Sequence, residues 1–169
     1  LIQLFALITA LSVAPGLLVV MPRFTRFVIV FSMLRLALGL NQTPPNIVLN
    51  AMALFMTFYV MQPVFDDAWE TGLSPLLNNA ITEEQALGEI SDPFRKFMTA
   101  NTREKDILLF QDFAIANGTA ENCEAGELPW RVIVPAFMLS ELRRAFTIGF
   151  LIYLPFVAID LIVASVLMS

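Results

Sequence analysis

Acidic side chains in this sequence are crowded into its middle: thirteen of fifteen lie between Asp66 and Arg131, and only Glu141 and Asp160 fall outside. The stretches on either side are apolar over membrane-grade lengths. That division predicts apolar arms around a water-facing centre rather than one layer of structure around one core. The chain is 57% hydrophobic with mean hydropathy +0.73, above the roughly 45–50% apolar content of soluble domains, so it belongs in or against a bilayer. Its ten Lys and Arg residues form no basic stripe, which removes nucleic acid as a partner, since phosphate binding depends on releasing counterions along such a stripe.

The sequence has no His and one Cys, Cys123. A Cys/His zinc site and an intrachain disulfide are therefore excluded, as are Ser-His and Cys-His nucleophile pairs. Cys123 reads as a buried or loop thiol, and no cofactor is expected.

Along residues 1–65, Leu1 to Met21 carries no charge, and about 20 residues rising 1.5 Å each cross a hydrocarbon core. A cleavable leader is the alternative, because Ser12-Val13-Ala14 resembles a small-residue cleavage site. No basic segment precedes it, and Pro15 follows directly. Arg23, Arg26 and Arg35 are this arm's only charges. The first two are spaced to share a helix face, and basic residues in a short turn near Pro22 favour its cytosolic side. Asn41-Gln42-Thr43-Pro44-Pro45-Asn46 breaks the helix, since proline lacks a donor and disfavours helix in the residue before it. A second apolar run, Ile47 to Val64, follows.

Residues 66–131 read as a soluble helical domain. Thr82-Glu83-Glu84-Gln85 predicts a capping box, Asp92-Pro93 a second helix start, and Asn101-Thr102-Arg103-Glu104 a third. Phe94, Phe97 and Met98, then Ile107, Phe110 and Ala114, give the helices apolar stripes suited to a core. Asn117 to Glu127 predicts a loop. From 132 to 169 the chain is apolar again, with Pro135, Gly149 and Pro155 inside. No strand pattern competes, so the fold class is all-α: apolar helical hairpins flanking a small helical domain, with residues 132–169 starting the second hairpin.

Two acids stand in the last arm. Glu141 lacks the second acid, His or metal that catalysis needs. With Arg144 three residues on, beside Arg143, it suits an ion pair, either along its own helix or with a neighbouring subunit. Asp160, amid apolar residues 154–167, is costly in lipid and suits an interhelical contact or a proton relay. Intramembrane aspartyl proteolysis would need a second acid within a span. The 15 Phe and 8 Met residues read first as packing and lipid-facing side chains.

These residues resemble the FliP family of flagellar export-gate proteins and its injectisome counterpart. The blocks that carry the likeness are Arg35-Leu36-Ala37-Leu38-Gly39 with Thr43 to Leu49, Thr102-Arg103-Glu104, Pro135 to Phe150, and Pro155 to Leu167. The resemblance implies a non-enzymatic subunit that forms a closed channel as a homo-oligomer with FliQ and FliR. Beside the export partners FlhB and FlhA, it would pass unfolded substrates across the bacterial inner membrane in the flagellar basal body. The alternative is a scaffold that assembles a virulence-type apparatus without lining the pore. The acidic middle would lie on the periplasmic side. Arg35, Pro44, Pro45, Asn46, Glu141, Arg143, Arg144 and Asp160 are the candidate inter-subunit contacts. Family members continue past the position of Ser169 into a Met-rich sealing segment and a further apolar helix, so this sequence is expected to be part of a longer one. Met168 is the gate-edge candidate.

Overall fold

The computed structural model describes residues 21–118 and 128–169, with Leu1, Leu4 and Ile8. The expected span over Leu1–Met21, most of the loop over 117–127 and Cys123 lie outside these residues. Among the described residues every regular element is helical: α1 Phe24–Ala37, α2 Asn46–Ala68, a π-helical turn Trp69–Leu73, α3 Ser74–Leu77, α4 Glu83–Asn101, α5 Glu104–Ala116 and α6 Trp130–Met168. The all-α expectation holds.

The break after α1 lies where the prolines place it. Gly39 has φ +71°, and the Leu40 amide donates to the Arg35 carbonyl while the Gly39 amide donates to Leu36. This is a Schellman closure, in which a residue without Cβ takes the left-handed position. A Cβ at Gly39 would meet no atom within 4 Å, so Gly39→Ala isolates the backbone cost. A loss of about 1–2 kcal/mol is expected, read as a shift in the chemical unfolding midpoint. Arg23 stands ahead of α1 with φ 78°. Of Arg23 and Arg26, only Arg26 is therefore inside the helix, and the expected shared face does not form.

Both long helices open on a proline carbonyl. Pro45 accepts from the Val48 and Leu49 amides, and Pro129 from Val132 and Ile133. Proline serves there because its own missing donor falls outside the ladder.

In the middle region the Thr82 capping box forms, with the Gln85 amide donating to Thr82 Oγ1 and the Thr82 amide to Gln85 Oε1. The second expected helix start does not. Pro93 lies inside α4, so the three expected helices are two. A proline interrupts a helix by removing one amide and crowding the carbonyl four residues back. Here that carbonyl belongs to the exposed residue Glu89, where water can serve it. The third expected helix starts at Glu104, within the expected block, but the capping side chains turn the other way. Asn101 Nδ2 donates to Phe97 O at 2.8 Å and Thr102 Oγ1 to Met98 O at 2.6 Å, so both expected caps close α4 instead of opening α5.

The described chain forms two compact units, residues 1–57 with 142–169, and residues 58–141. In the first, Leu49, Ala53 and Thr57 are buried four residues apart along α2, the spacing of one helix stripe. Thr57, fully enclosed, donates its hydroxyl to Ala53 O at 2.6 Å. Gly149 approaches Met33 so closely that a Cβ there would overlap the Met33 sulfur. In the second, Met98, Ile133 and Phe137 form the core, with Phe97, Ile107, Leu128, Trp130 and Val134 packed against it. Phe65 meets Phe94 edge-on at 5.8 Å, and the Arg95 guanidinium lies 4.9 Å from the Trp130 ring centre. Met98 and Ile107 of the expected stripes thus serve as core.

Candidate functional site

Two polar joints emerge from the motif residues. The first closes the turn between α1 and α2. Arg35 Nη1 donates to Asn46 Oδ1 at 2.7 Å and to the Pro44 carbonyl at 3.1 Å. One guanidinium nitrogen therefore ties the last turn of α1 to the first residue of α2 and to the strap between them. The Thr43–Pro44 peptide is cis. The structure brings Arg35, Pro44 and Asn46 together, with Pro45 between them supplying the carbonyl that starts α2. The planar Nη1 group carries two N–H bonds at fixed angles, one for each acceptor, which a freely rotating lysine ammonium at position 35 would not hold in place.

The second joint lies inside the 58–141 unit. Arg103 precedes α5, and Asp106 is the third residue of that helix. In an ordinary capping box the acid at that position would reach back to the amide at Arg103. Here Ser140 of α6 stands between them. Its hydroxyl donates to Asp106 Oδ2 at 2.6 Å and accepts from the Arg103 amide at 3.0 Å. Ser140 and Glu141 are essentially enclosed, and Asp106 is 3% exposed. A hydroxyl both donates and accepts, which is why serine fits and alanine would not. The Thr102-Arg103-Glu104 block and the Ser140-Glu141 block are thus halves of one joint. Asp106 was not legible as its centre; the available signal was an acid at the third position of a helix, where a capping partner is ordinary.

The remaining candidates lie outside these two joints. Arg143 is exposed and Arg144 half-buried further along α6. Asp160 is exposed among Ile159, Leu161, Ile162 and Val163, each at least half exposed, and makes no hydrogen bond or ion pair among the described residues. Met168 is exposed at the end of α6. No group of three or more His, Cys, Asp or Glu side chains comes together among the described residues as a metal site would require. On the surface of α4, Lys96 pairs with Asp92 at 2.6 Å. The hydrogen bond and charge of Asp92 hold the Lys96 pKa above its ordinary value. Its small contribution is complete at neutral pH and is lost as pH rises through that raised value.

Two helical segments have the length and composition to cross a membrane: Asn46–Leu77, whose most apolar 18-residue stretch has mean hydropathy 1.6, and Trp130–Met168, where that stretch reaches 2.4. By length and composition they put the chain in the class of all-α proteins with membrane-length apolar helices. Comparison with known proteins is specific. The FliP family profile matches residues 7–169. The chain is 56% identical over 168 residues to the flagellar biosynthetic protein FliP of Agrobacterium fabrum, covering 99% of this chain and 68% of that protein. It is 53% identical to the protein of that name from Rhizobium meliloti, with the same coverage. Against that of Bacillus subtilis the identity is 44%, over 99% of this chain and 75% of the relative. The chain belongs to the FliP family.

Proposed function

We propose that this chain is a core subunit of a flagellar type III protein-export gate, assembling a channel for unfolded substrates across the bacterial inner membrane. The observation that carries the reading is the family match over residues 7–169, and the relatives' name supports the flagellar rather than the injectisome system. The surface of α6 agrees with it. Phe146, Phe150, Leu151, Leu161, Ile162 and Val166 are each more than half exposed, a density of apolar surface that monomeric soluble proteins do not leave open.

In this reading further copies of the chain, with FliQ and FliR, cover that surface, and FlhB and FlhA act beside them. The chain performs no catalysis. The acidic middle lies on the periplasmic side, and the basic turn at 22–26 faces the cytosol. Full-length protein co-expressed with its two smaller partners should purify in detergent as one large complex. Recovery of monomers alone would contradict the proposal. Cysteines placed along the channel should crosslink a stalled substrate, whereas a scaffold would yield no adduct.

Asp160 supplies a sharper test. Because it is exposed in the single chain, Asp160→Ala should change the stability of the uncomplexed protein by no more than about 0.5 kcal/mol. Recovery of the complex should nevertheless fall, since a carboxylate in an apolar setting is kept for a polar partner. Assembly and secretion at wild-type levels would show that Asp160 makes no such contact.

A further inference from the structure

Two backbone irregularities face each other within the 58–141 unit. The first is the π-helical turn Trp69–Leu73, where the Ser74 amide reaches back to the Trp69 carbonyl. Such a turn carries one residue more than an α-helix needs, and its hydrogen bonds run five residues back instead of four. The second is Pro93 inside α4, which leaves the Glu89 carbonyl without an amide from its own helix. Nearby, Ser91 Oγ donates to the Gly88 carbonyl at 3.0 Å.

The two defects meet in register. Gly72 is buried, and a Cβ built on it would lie 2.9 Å from the Ile90 amide nitrogen and overlap the Ile90 side chain. The two backbones are therefore in near-direct contact, one residue from the carbonyl freed by Pro93. Thr71 completes the match. Its hydroxyl donates to the Asp67 carbonyl at 2.8 Å and lies 3.4 Å from the Glu89 carbonyl. A single proton thus has an acceptor on each helix, and a modest rotation moves it from one to the other.

We propose that the π turn and Pro93 form a yielding joint, at which these two helices flex when the protein passes between its resting and working conformations. The functional half of this proposal rests on the export reading; the mechanical half does not. Independent chance would seldom set two weakened ladders face to face with a glycine between them. Flexing here costs little because the π turn of one helix and the carbonyl freed by Pro93 in the other lie at the same level. Thr71 keeps a partner at either extreme, and the paired rings Phe65 and Phe94 anchor the segments beside it.

Hydrogen exchange on the full-length protein in detergent tests the mechanical half. Amides of residues 70–74 and 89–92 should exchange at least about tenfold faster than those of 64–68 and 97–101, which flank them. Pro93→Ala returns a donor to Glu89 and should slow the fast segments. Thr71→Val removes the hydroxyl at nearly constant volume and should speed them. Uniform exchange, or fast segments indifferent to both variants, would overturn the joint. For the functional half, Pro93→Ala should enter the complex normally and yet secrete at least about fivefold less, because a stiffened joint blocks the transition. Wild-type secretion, or loss of assembly, would overturn that role. Should the wild-type protein itself form no complex with its partners, the export reading would fail while the exchange result stood.

Discussion

Phe137→Ala should destabilise the 58–141 unit by about 3–5 kcal/mol, the cost of emptying a large enclosed aromatic site. Phe137 is 1% exposed and sits in the core with Met98 and Ile133. Its ring lies 6.2 Å from that of Phe97 at 60°, an arrangement that contributes about 0.5–1.5 kcal/mol beyond the area buried. Denaturant unfolding followed by the fluorescence of Trp130, which packs on the same core, would measure it. Phe137→Leu, which refills most of the volume, should recover much of the loss. A change below about 1 kcal/mol for the alanine variant would mean that the core is not where the structure places it.

The second large effect is at Ser140. Ser140→Ala leaves the packing intact and removes one hydroxyl, yet it takes a partner from the buried Asp106 carboxylate and another from the Arg103 amide. A loss of about 2–3 kcal/mol is expected, because hydrogen bonds to charged groups are strong and buried groups pay desolvation when a partner is removed. A double-mutant cycle with Asp106→Asn should give a coupling of about 1 kcal/mol or more. Additive effects would show that the two side chains act independently.

Some of this was readable in advance. The break over 41–46 follows from two adjacent prolines, whereas the use of Gly39 to close α1 showed only in the backbone. The Thr82 capping box is local, three residues from hydroxyl to amide, and needs no tertiary information. Pro93 was misread because an aspartate before a proline signals a helix start, and nothing local says that the freed carbonyl lies where solvent can reach it. The Asn101-Thr102 pair was read in the wrong direction, since the same side chains can close one helix or open the next. Asp106 was invisible for a different reason. Its partner Ser140 lies 34 residues away, and only the packing of α5 on α6 tells an interposed hydroxyl from an ordinary surface acid. Of the candidate inter-subunit contacts, Arg35, Pro44 and Asn46 meet one another within the chain, a pairing that spacing alone did not give.

The length of α6 sets a condition on whatever surrounds it. Its 39 residues extend about 58 Å at 1.5 Å each, nearly twice the roughly 30 Å of a hydrocarbon slab. The enclosed positions Val132, Ile133, Ala136, Phe137, Ser140, Glu141 and Ala145 fall in the first half. From Phe146 onward 23 residues remain, about 34 Å of rod. The sleeve that this rod requires therefore has a fixed lower rim near Phe146 and a height close to one membrane thickness, whether lipid or neighbouring helices supply it.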